Sequence, residues 1–247
     1  GGVYDLFLRR MVHIRDKYDI DTLVVGSEFE RSARSTKEKG IKYLEYDNNP
    51  VSNKWNAGMM HIGLCHKPDY VMILGSDDLV SDSLIEHIIH KASQGYRVIG
   101  IKDLYFYNLN HRRNKYGYCG YWDAGKILGV CKTISKDMLM GVGWRPWDDG
   151  LDNTLDRSLT QNIKPHIKGG MTTSFSLKDI GGCCVDIKSE SNINGISPLD
   201  LDYVCPDGLF GHFFGKDEVD AIAAYRVKTD ELFKKRWRRK PPQWGKI

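Results

Sequence analysis

The sequence contains no apolar run near the roughly 20 residues that a membrane-spanning helix needs, and it shows no secretory signal peptide. It also has no internal repeat and no low-complexity segment. With 41% hydrophobic residues among 247, the composition is ordinary for a soluble globular protein. The length fits one large domain or a domain with an appendage.

The six cysteines show neither C-x-x-C spacing nor a zinc-binding pattern. Two of them, Cys183 and Cys184, are adjacent, which is a poor geometry for pairing with each other. We therefore expect reduced thiols and a cytoplasmic protein.

The first hundred residues alternate between helix-like and strand-like segments. Apolar residues at spacings of three and four predict a helix over 3–18. Short apolar runs predict strands at 21–28, 41–46, 69–74 and 96–101. Segments between these runs predict helices at 52–64 and after Val80. For the latter helix, Ser83 and Glu86 have the spacing of a capping box. This alternation predicts an α/β fold with a mainly parallel sheet flanked by helices.

The second half, from about 102, is aromatic and turn-rich and predicts antiparallel strands or a hairpin. A strand is expected at 125–134, and short helices after Ser135 and over 150–162. We expect irregular structure over 175–206 and a last helix over about 216–236.

The stretch DYVMILGSDDLVSD, residues 69–82, places two adjacent carboxylates after a buried strand. Acid near a helix N-terminus and aspartate in a turn are common, so Asp77 and Asp78 have a purely structural interpretation. The functional interpretation is a site for Mg²⁺ or Mn²⁺, because such cations prefer oxygen ligands and bind through carboxylates and substrate phosphates. In parallel sheets, ligands bind beyond the carboxyl ends of the strands, where this pair is expected.

The segment LGSDDLV resembles the DxD segment of GT-A fold glycosyltransferases, especially the large inverting family two, whose usual form is LDSDD. Gly75 stands where the first aspartate of that form is expected. The family also has an Arg-Asn-x-Gly turn upstream, which Lys54 and Asn56 resemble here. The resemblance implies that both line the nucleotide pocket; alone, they fit a surface lysine and a helix cap. The resemblance to this family covers roughly residues 20–160.

Residues 143–159, GWRPWDDGLDNTLDRSL, resemble the block of that family that carries the catalytic base. Aligning Gly150 and Leu155 assigns the base to Asp152, with Asp149 as the second candidate. A carboxylate is needed there to take the proton from the acceptor hydroxyl. The alternative is that these aspartates belong to a solvated loop at a helix N-terminus.

Several GT-A enzymes complete the metal shell with a late histidine, and His212 in LFGHFFGKDE matches this position. Its alternative role is that of a half-buried histidine among phenylalanines. The family's usual first strand, which supports the uridine, is not seen before the helix 3–18. Either that strand lies outside this sequence, or the protein builds its nucleotide pocket differently. Ser27 and Glu28, at the end of strand 21–26, are then the best candidates for a base contact.

The resemblance implies a metal-dependent glycosyltransferase that moves a sugar, with inversion, from a nucleotide-sugar to an acceptor hydroxyl. The donor is most simply a UDP-sugar held with Mn²⁺ or Mg²⁺ on Asp77 and Asp78, and the acceptor a saccharide or glycan. We expect a single catalytic domain over 1–215, with a nucleotide-binding half over about 1–101 and an acceptor half over about 102–215. A C-terminal helix and basic tail follow over 216–247.

The tail 234–240, KKRWRRK, combines basic charge with tryptophan, as nucleic-acid contacts often do. An anionic membrane surface or no partner at all also fits. Two alternatives to a glycosyltransferase that acts on saccharides or glycans stay open. One is a phage-type glycosyltransferase acting on hydroxylated DNA bases, and the other is a nucleotide- or nucleic-acid-binding module on the same scaffold without catalysis. A sugar nucleotidyltransferase is a third; we expect it to carry a glycine-rich loop after its first strand, and none is visible.

Overall fold

The computed structural model describes residues 2–108, 116–120, 127–167, 171–188, 202–204, 211–221 and 224. The helices are α1 (Val3–Tyr18), α2 (Phe29–Glu38), α3 (Val51–Cys65), α4 (Asp82–Ser93), α5 (Lys136–Gly141) and α6 (Leu155–Ile163). The strands are β1 (Leu23–Gly26), β2 (Lys42–Glu45), β3 (Tyr70–Met72), β4 (Asp78–Val80), β5 (Val98–Ile101), β6 (Asp103–Asn108), β7 (Tyr116–Gly120), β8 (Thr133–Ser135), β9 (Thr172–Phe175), β10 (Cys184–Lys188) and β11 (Asp202–Val204). In this part of the chain, no helix is both long and apolar enough to cross a membrane.

Helix α1 forms where the spacing predicts it, and Phe7 and Met11 on its apolar face are buried in the main core. Arg10 lies on the same face and is only 2% exposed. Its guanidinium donates hydrogen bonds to the carbonyl oxygen of Val80, at 2.7 Å, and to the carboxylate of Asp82. A buried cation thus ties α1 to the segment that follows the acidic pair.

The mixed α/β class predicted from the sequence is confirmed, but the described strands are not mainly parallel. They form three sheets, in the orders β1-β2, β3-β8-β5-β9 and β11-β7-β6-β10-β4. Three of their eight pairings are parallel and five are antiparallel. The main departure is that β8 runs antiparallel between β3 and β5. The antiparallel pair β6–β7 lies in the second half of the chain and confirms the antiparallel strands predicted there.

An apolar cavity of about 190 Å³ lies next to both β1 and β3. Its walls include side chains from α1, β1, α3 and the β3 segment; examples are Met11, Ile14, Leu23, Val25, Met59 and Val71. Within the described residues β1 pairs with β2, and β3 with β8. The expected single sheet is therefore divided at this position.

The main core includes apolar side chains from both halves of the chain, from Leu6 in α1 to Val185 in β10 and Phe214. A smaller cluster, which includes Trp147, packs around α5 and α6. The predicted division of the chain near residue 215 stays a prediction, because little of the region after it is described.

Three local predictions differ from the structure. The N-cap of α4 is Ser81, whose hydroxyl accepts a hydrogen bond from the backbone N–H of Leu84; Ser83 and Glu86 do not form a capping box. The region 175–206, expected to be irregular, contains β10. The strand expected at 125–134 is shorter, as β8 begins at Thr133.

Candidate metal and nucleotide site

The acidic pair lies where a tight turn after β3 leads into β4. Asp78 is the first residue of β4 and is 6% exposed. Its carboxylate Oδ2 accepts a hydrogen bond of 2.6 Å from the backbone N–H of Gly75, and its own backbone N–H donates to the Gly75 carbonyl. The turn therefore fixes the Asp78 carboxylate.

Strand β10 brings a third carboxylate to this turn. β10 pairs antiparallel with β4, and Asp186 lies directly opposite Asp78 in the register. Directly opposed residues of an antiparallel pair project to the same face. Carboxylate oxygens of Asp77, Asp78 and Asp186 accordingly lie within 4.8 Å of one another, which we call the acidic cluster.

The electrostatics of the acidic cluster favour a cation. Burial, then the nearby charges of Asp186 and Asp77, raise the pKa of Asp78 well above its ordinary value. Burial also raises the pKa of Asp186, to about 6, although Lys188 opposes the shift. Oδ1 of Asp186 is buried without a hydrogen-bond partner. A divalent cation relieves this repulsion and satisfies the oxygen, so the cluster fits Mg²⁺ or Mn²⁺.

A cavity of about 520 Å³ opens beside the acidic cluster. The residues that line it include Ser27, Glu28, Asn48, Lys54 and Lys188, together with the three aspartates. Ser27 and Glu28 follow β1, and Lys54 lies in the first turns of α3. The fold thus brings together Ser27, Glu28, Lys54 and Asp77, four of the residues proposed from the sequence for the nucleotide.

Two lysines place positive charge in this cavity. Nζ of Lys54 donates a hydrogen bond of 3.1 Å to Oδ1 of Asn48, and burial lowers the pKa of this lysine. Nζ of Lys188 lies 2.6 Å from Oδ2 of Asp186. Ammonium groups beside a carboxylate cluster suit a ligand that carries phosphates together with a metal ion.

Asn56 is placed elsewhere. Its side chain is 1% exposed, donates a hydrogen bond of 2.8 Å to the carbonyl oxygen of Trp147 and accepts one of 3.2 Å from the backbone N–H of that residue. These bonds hold the 143–150 loop against α3, and Asn56 does not line the cavity.

Both candidate bases contact α3: Asp152 at its first residue, and Asp149 through Oδ1, which accepts a hydrogen bond of 3.2 Å from Nδ2 of Asn56. Oδ1 of Asp152 accepts a hydrogen bond of 3.0 Å from the backbone N–H of Val51. Both oxygens of Asp149 lie 2.7 Å from a guanidinium nitrogen of Arg145. Asp152 is therefore the less engaged carboxylate, and it lies beside the helix that carries Lys54.

His212 is not part of the acidic cluster. It is exposed, and its ring packs edge-on against Phe213 at a centroid distance of 4.8 Å. The basic tail 234–240 lies outside the described residues, so the proposed nucleic-acid or anionic-surface partner stays a prediction.

Asp186 and Lys188 were not predicted from the sequence. A signal was present, because VDIK, residues 185–188, alternates apolar and polar residues as a half-buried strand does. Val185 and Ile187 are buried in the core, whereas Asp186 and Lys188 line the cavity. The five-residue strand is short, and it was included in a stretch expected to be irregular.

Comparison with known proteins does not assign a family. No family model and no curated protein matches the sequence. One similar solved structure is described as a glucose-1-phosphate thymidylyltransferase from Bacillus anthracis, in complex with sucrose. The alignment covers 73% of this chain and 76% of the chain of that protein, with 9% identity and a TM-score of 0.43. A second is TarS 1–349 from S. aureus. The alignment covers 77% of this chain and 56% of the TarS chain, with 11% identity and a TM-score of 0.46.

Proposed function

We propose that this protein is a metal-dependent glycosyltransferase that uses a nucleotide-sugar donor. The observation that carries the proposal is one cavity that combines the acidic cluster with Lys54 and Lys188. This arrangement suits a nucleoside diphosphate bound together with a divalent cation. The resemblance of LGSDDLV to the DxD segment points to the same ligand.

Each group of residues in the cavity has a separate proposed role. Asp77 and Asp78 would hold Mg²⁺ or Mn²⁺, which supplies charge neutralisation for the departing nucleoside diphosphate. Lys54 would donate a hydrogen bond to a phosphate oxygen, and Lys188 adds positive charge to the same cavity. Ser27 and Glu28, in the turn after β1, line the same cavity and would contact the nucleoside.

Asp152 is the proposed general base. One of its oxygens accepts the Val51 N–H, which fixes the carboxylate, and the other takes the proton from the acceptor hydroxyl. The hydroxyl oxygen forms a bond to the anomeric carbon as the bond to the diphosphate breaks, with inversion. We propose a saccharide or glycan as the acceptor.

The first test is a thermal-shift screen of UDP-, GDP-, ADP- and dTDP-sugars, with and without Mn²⁺. A ligand at 100 times its dissociation constant stabilises the folded state by about 2.7 kcal/mol. We expect stabilisation by one nucleotide that depends on the metal, and UDP is the expected nucleotide. Absence of any shift would favour the non-catalytic module.

Product analysis separates the catalytic alternatives. Glycosyl transfer releases a nucleoside diphosphate, whereas a sugar nucleotidyltransferase converts a nucleotide-sugar and pyrophosphate into a nucleoside triphosphate and a sugar 1-phosphate. Incubation with the matched nucleotide-sugar, with and without pyrophosphate, distinguishes them. Transfer to DNA carrying hydroxymethylated bases, but not to saccharides, would support the DNA-modifying alternative.

A further inference from the structure

We propose that Asp186 is a direct ligand of the divalent cation through its Oδ1 atom, while Lys188 holds its Oδ2 atom. This inference rests on the metal dependence of the proposed function, and it assigns the third protein ligand to β10 rather than to His212.

The sheet register places Asp186 at the site. It lies opposite Asp78 in the β4–β10 pair, and Val185 and Ile187 on either side of it are buried in the core. Since neighbouring residues of a strand project to opposite faces, the buried apolar pair fixes the direction of Asp186. A shift of one residue would bury the carboxylate and expose the apolar side chains.

The two oxygens of Asp186 have different surroundings. Oδ2 lies 2.6 Å from Nζ of Lys188, whereas Oδ1 is buried and has no hydrogen-bond partner. A buried carboxylate oxygen without a partner is costly. Because Asp186 belongs to the acidic cluster and Oδ1 is its oxygen without a partner, a cation bound at Oδ1 satisfies it without breaking the ion pair.

Lys188 is held in a fixed position for this role. Its side chain is 12% exposed, and Nζ lies 5.9 Å from the ring centroid of Phe106 on the adjacent strand β6. The pair with Asp186 therefore orients the carboxylate, and Lys188 acts as a positioning residue.

Gly75 leaves the turn before β4 with two carboxylates, Asp77 and Asp78. The usual form of the DxD segment that this stretch resembles has a further aspartate at the position of Gly75. Asp186 supplies the additional carboxylate from another strand. His212 does not replace it, as its exposed ring lies outside the acidic cluster.

The test measures binding of Mn²⁺ alone to the whole chain, by the electron paramagnetic resonance signal of free Mn²⁺. Asp186→Asn keeps the shape of the side chain, and we expect it to weaken Mn²⁺ binding by at least about tenfold. Asp78→Asn serves as the positive control, and Asp179→Asn, an exposed aspartate outside the cavity, as the matched negative control. Thermal unfolding without metal shows that each variant is folded.

A second variant tests ligation rather than structure. Asp186→Cys replaces the carboxylate with a thiolate, which favours softer metals. We expect this variant to bind Cd²⁺ more tightly relative to Mn²⁺ than the wild type does, whereas a purely structural residue would leave the ratio unchanged.

The outcomes separate this inference from the proposed function. Wild-type Mn²⁺ affinity in Asp186→Asn, with loss in Asp78→Asn, would overturn the role of Asp186 and leave the metal-dependent function standing. If the wild type binds no Mn²⁺, both the ligand assignment and the metal dependence fail.

Discussion

The backbone N–H of Gly75 donates a hydrogen bond of 2.6 Å to Oδ2 of Asp78, and a Cβ at position 75 would lie 2.7 Å from the same oxygen. It would also lie 2.6 Å from Oδ1 of Asp77. Contacts this short require the carboxylates to move. Gly75 is therefore suited to this turn, because it lets both aspartates approach the backbone.

The first prediction concerns this close approach. Gly75→Ala should displace the Asp77 and Asp78 carboxylates and weaken Mn²⁺ binding by about tenfold. The effect on unfolding should be small, since the displaced atoms are the ends of side chains. Gly211→Ala, where a Cβ meets nothing within 4 Å, is the matched control. Unchanged Mn²⁺ affinity in Gly75→Ala would contradict the assigned geometry.

The second prediction concerns phosphate recognition by Lys54. Lys54→Gln removes a charged donor from the cavity and should weaken nucleoside diphosphate binding by about tenfold or more, as hydrogen bonds to charged groups contribute about 1.5–3 kcal/mol. Binding of Mn²⁺ alone should not change. Titration calorimetry with the nucleotide measures the difference. Lys37→Gln, at an exposed lysine outside the cavity, should match the wild type; equal affinities in all three proteins would refute the role.

The third prediction separates the two candidate bases. Asp152→Asn retains an oxygen that can accept the Val51 N–H, so the helix start should persist. It should bind donor normally and lose transfer by a factor of about 100 or more. Asp149→Asn should have the smaller effect on transfer, since Arg145 already engages both Asp149 oxygens. The reverse order of transfer rates would assign the base to Asp149.

The fourth prediction gives Asn56 a structural role. Asn56→Ala leaves the backbone N–H and carbonyl of Trp147 without their partners in the smaller apolar cluster. It should lower the free energy of unfolding by about 3 kcal/mol, because buried unpaired polar groups cost about 1–3 kcal/mol each. Urea unfolding measures this change. A stable variant with weakened nucleotide binding would instead support the role expected from the sequence.

The fifth prediction concerns acid sensitivity at Asp82. Partial burial favours a higher pKa, but hydrogen bonds from Lys17, His13 and Arg10 outweigh it and lower the pKa below its ordinary value of 3.8. A carboxylate with a lowered pKa stabilises the folded state fully above pH 3.8, and this contribution decreases as the pH falls below that value. Asp82→Asn should therefore be less stable than the wild type at pH 7.

The difference in the free energy of unfolding between the wild type and Asp82→Asn should become smaller at pH 3. Urea unfolding of both proteins at pH 7, 5 and 3 measures it, and a gap that stays constant across these values would rule out the linkage.

The elements with a strong repeating pattern could be predicted from the sequence. Helix α1 has both the predicted position and the predicted buried face, because apolar residues spaced three and four positions apart lie on one face of a helix. The acidic turn was found for a similar reason, since paired carboxylates after an apolar run are distinctive.

What could not be predicted depends on contacts between distant segments. The N-cap hydroxyl of Ser81 is selected by the β4–β10 pairing, as it also accepts the backbone N–H of Cys183 at 2.9 Å. The bonding of Asn56 to Trp147 requires the folded 143–150 loop. Asp186 was missed because its partner strand lies far away in the sequence, and local spacing carries no information about such pairs.

The pairing of β4 with β10 has a consequence for folding. The hydrogen bond between Ser81 and Cys183 spans 102 positions, and contacts at such separations carry a large loop-closure entropy and form slowly. The acidic cluster therefore has no precursor in the isolated first half of the chain, where Asp77 and Asp78 lack Asp186. Recovery of Mn²⁺ affinity during refolding would report when this long-range strand pair closes.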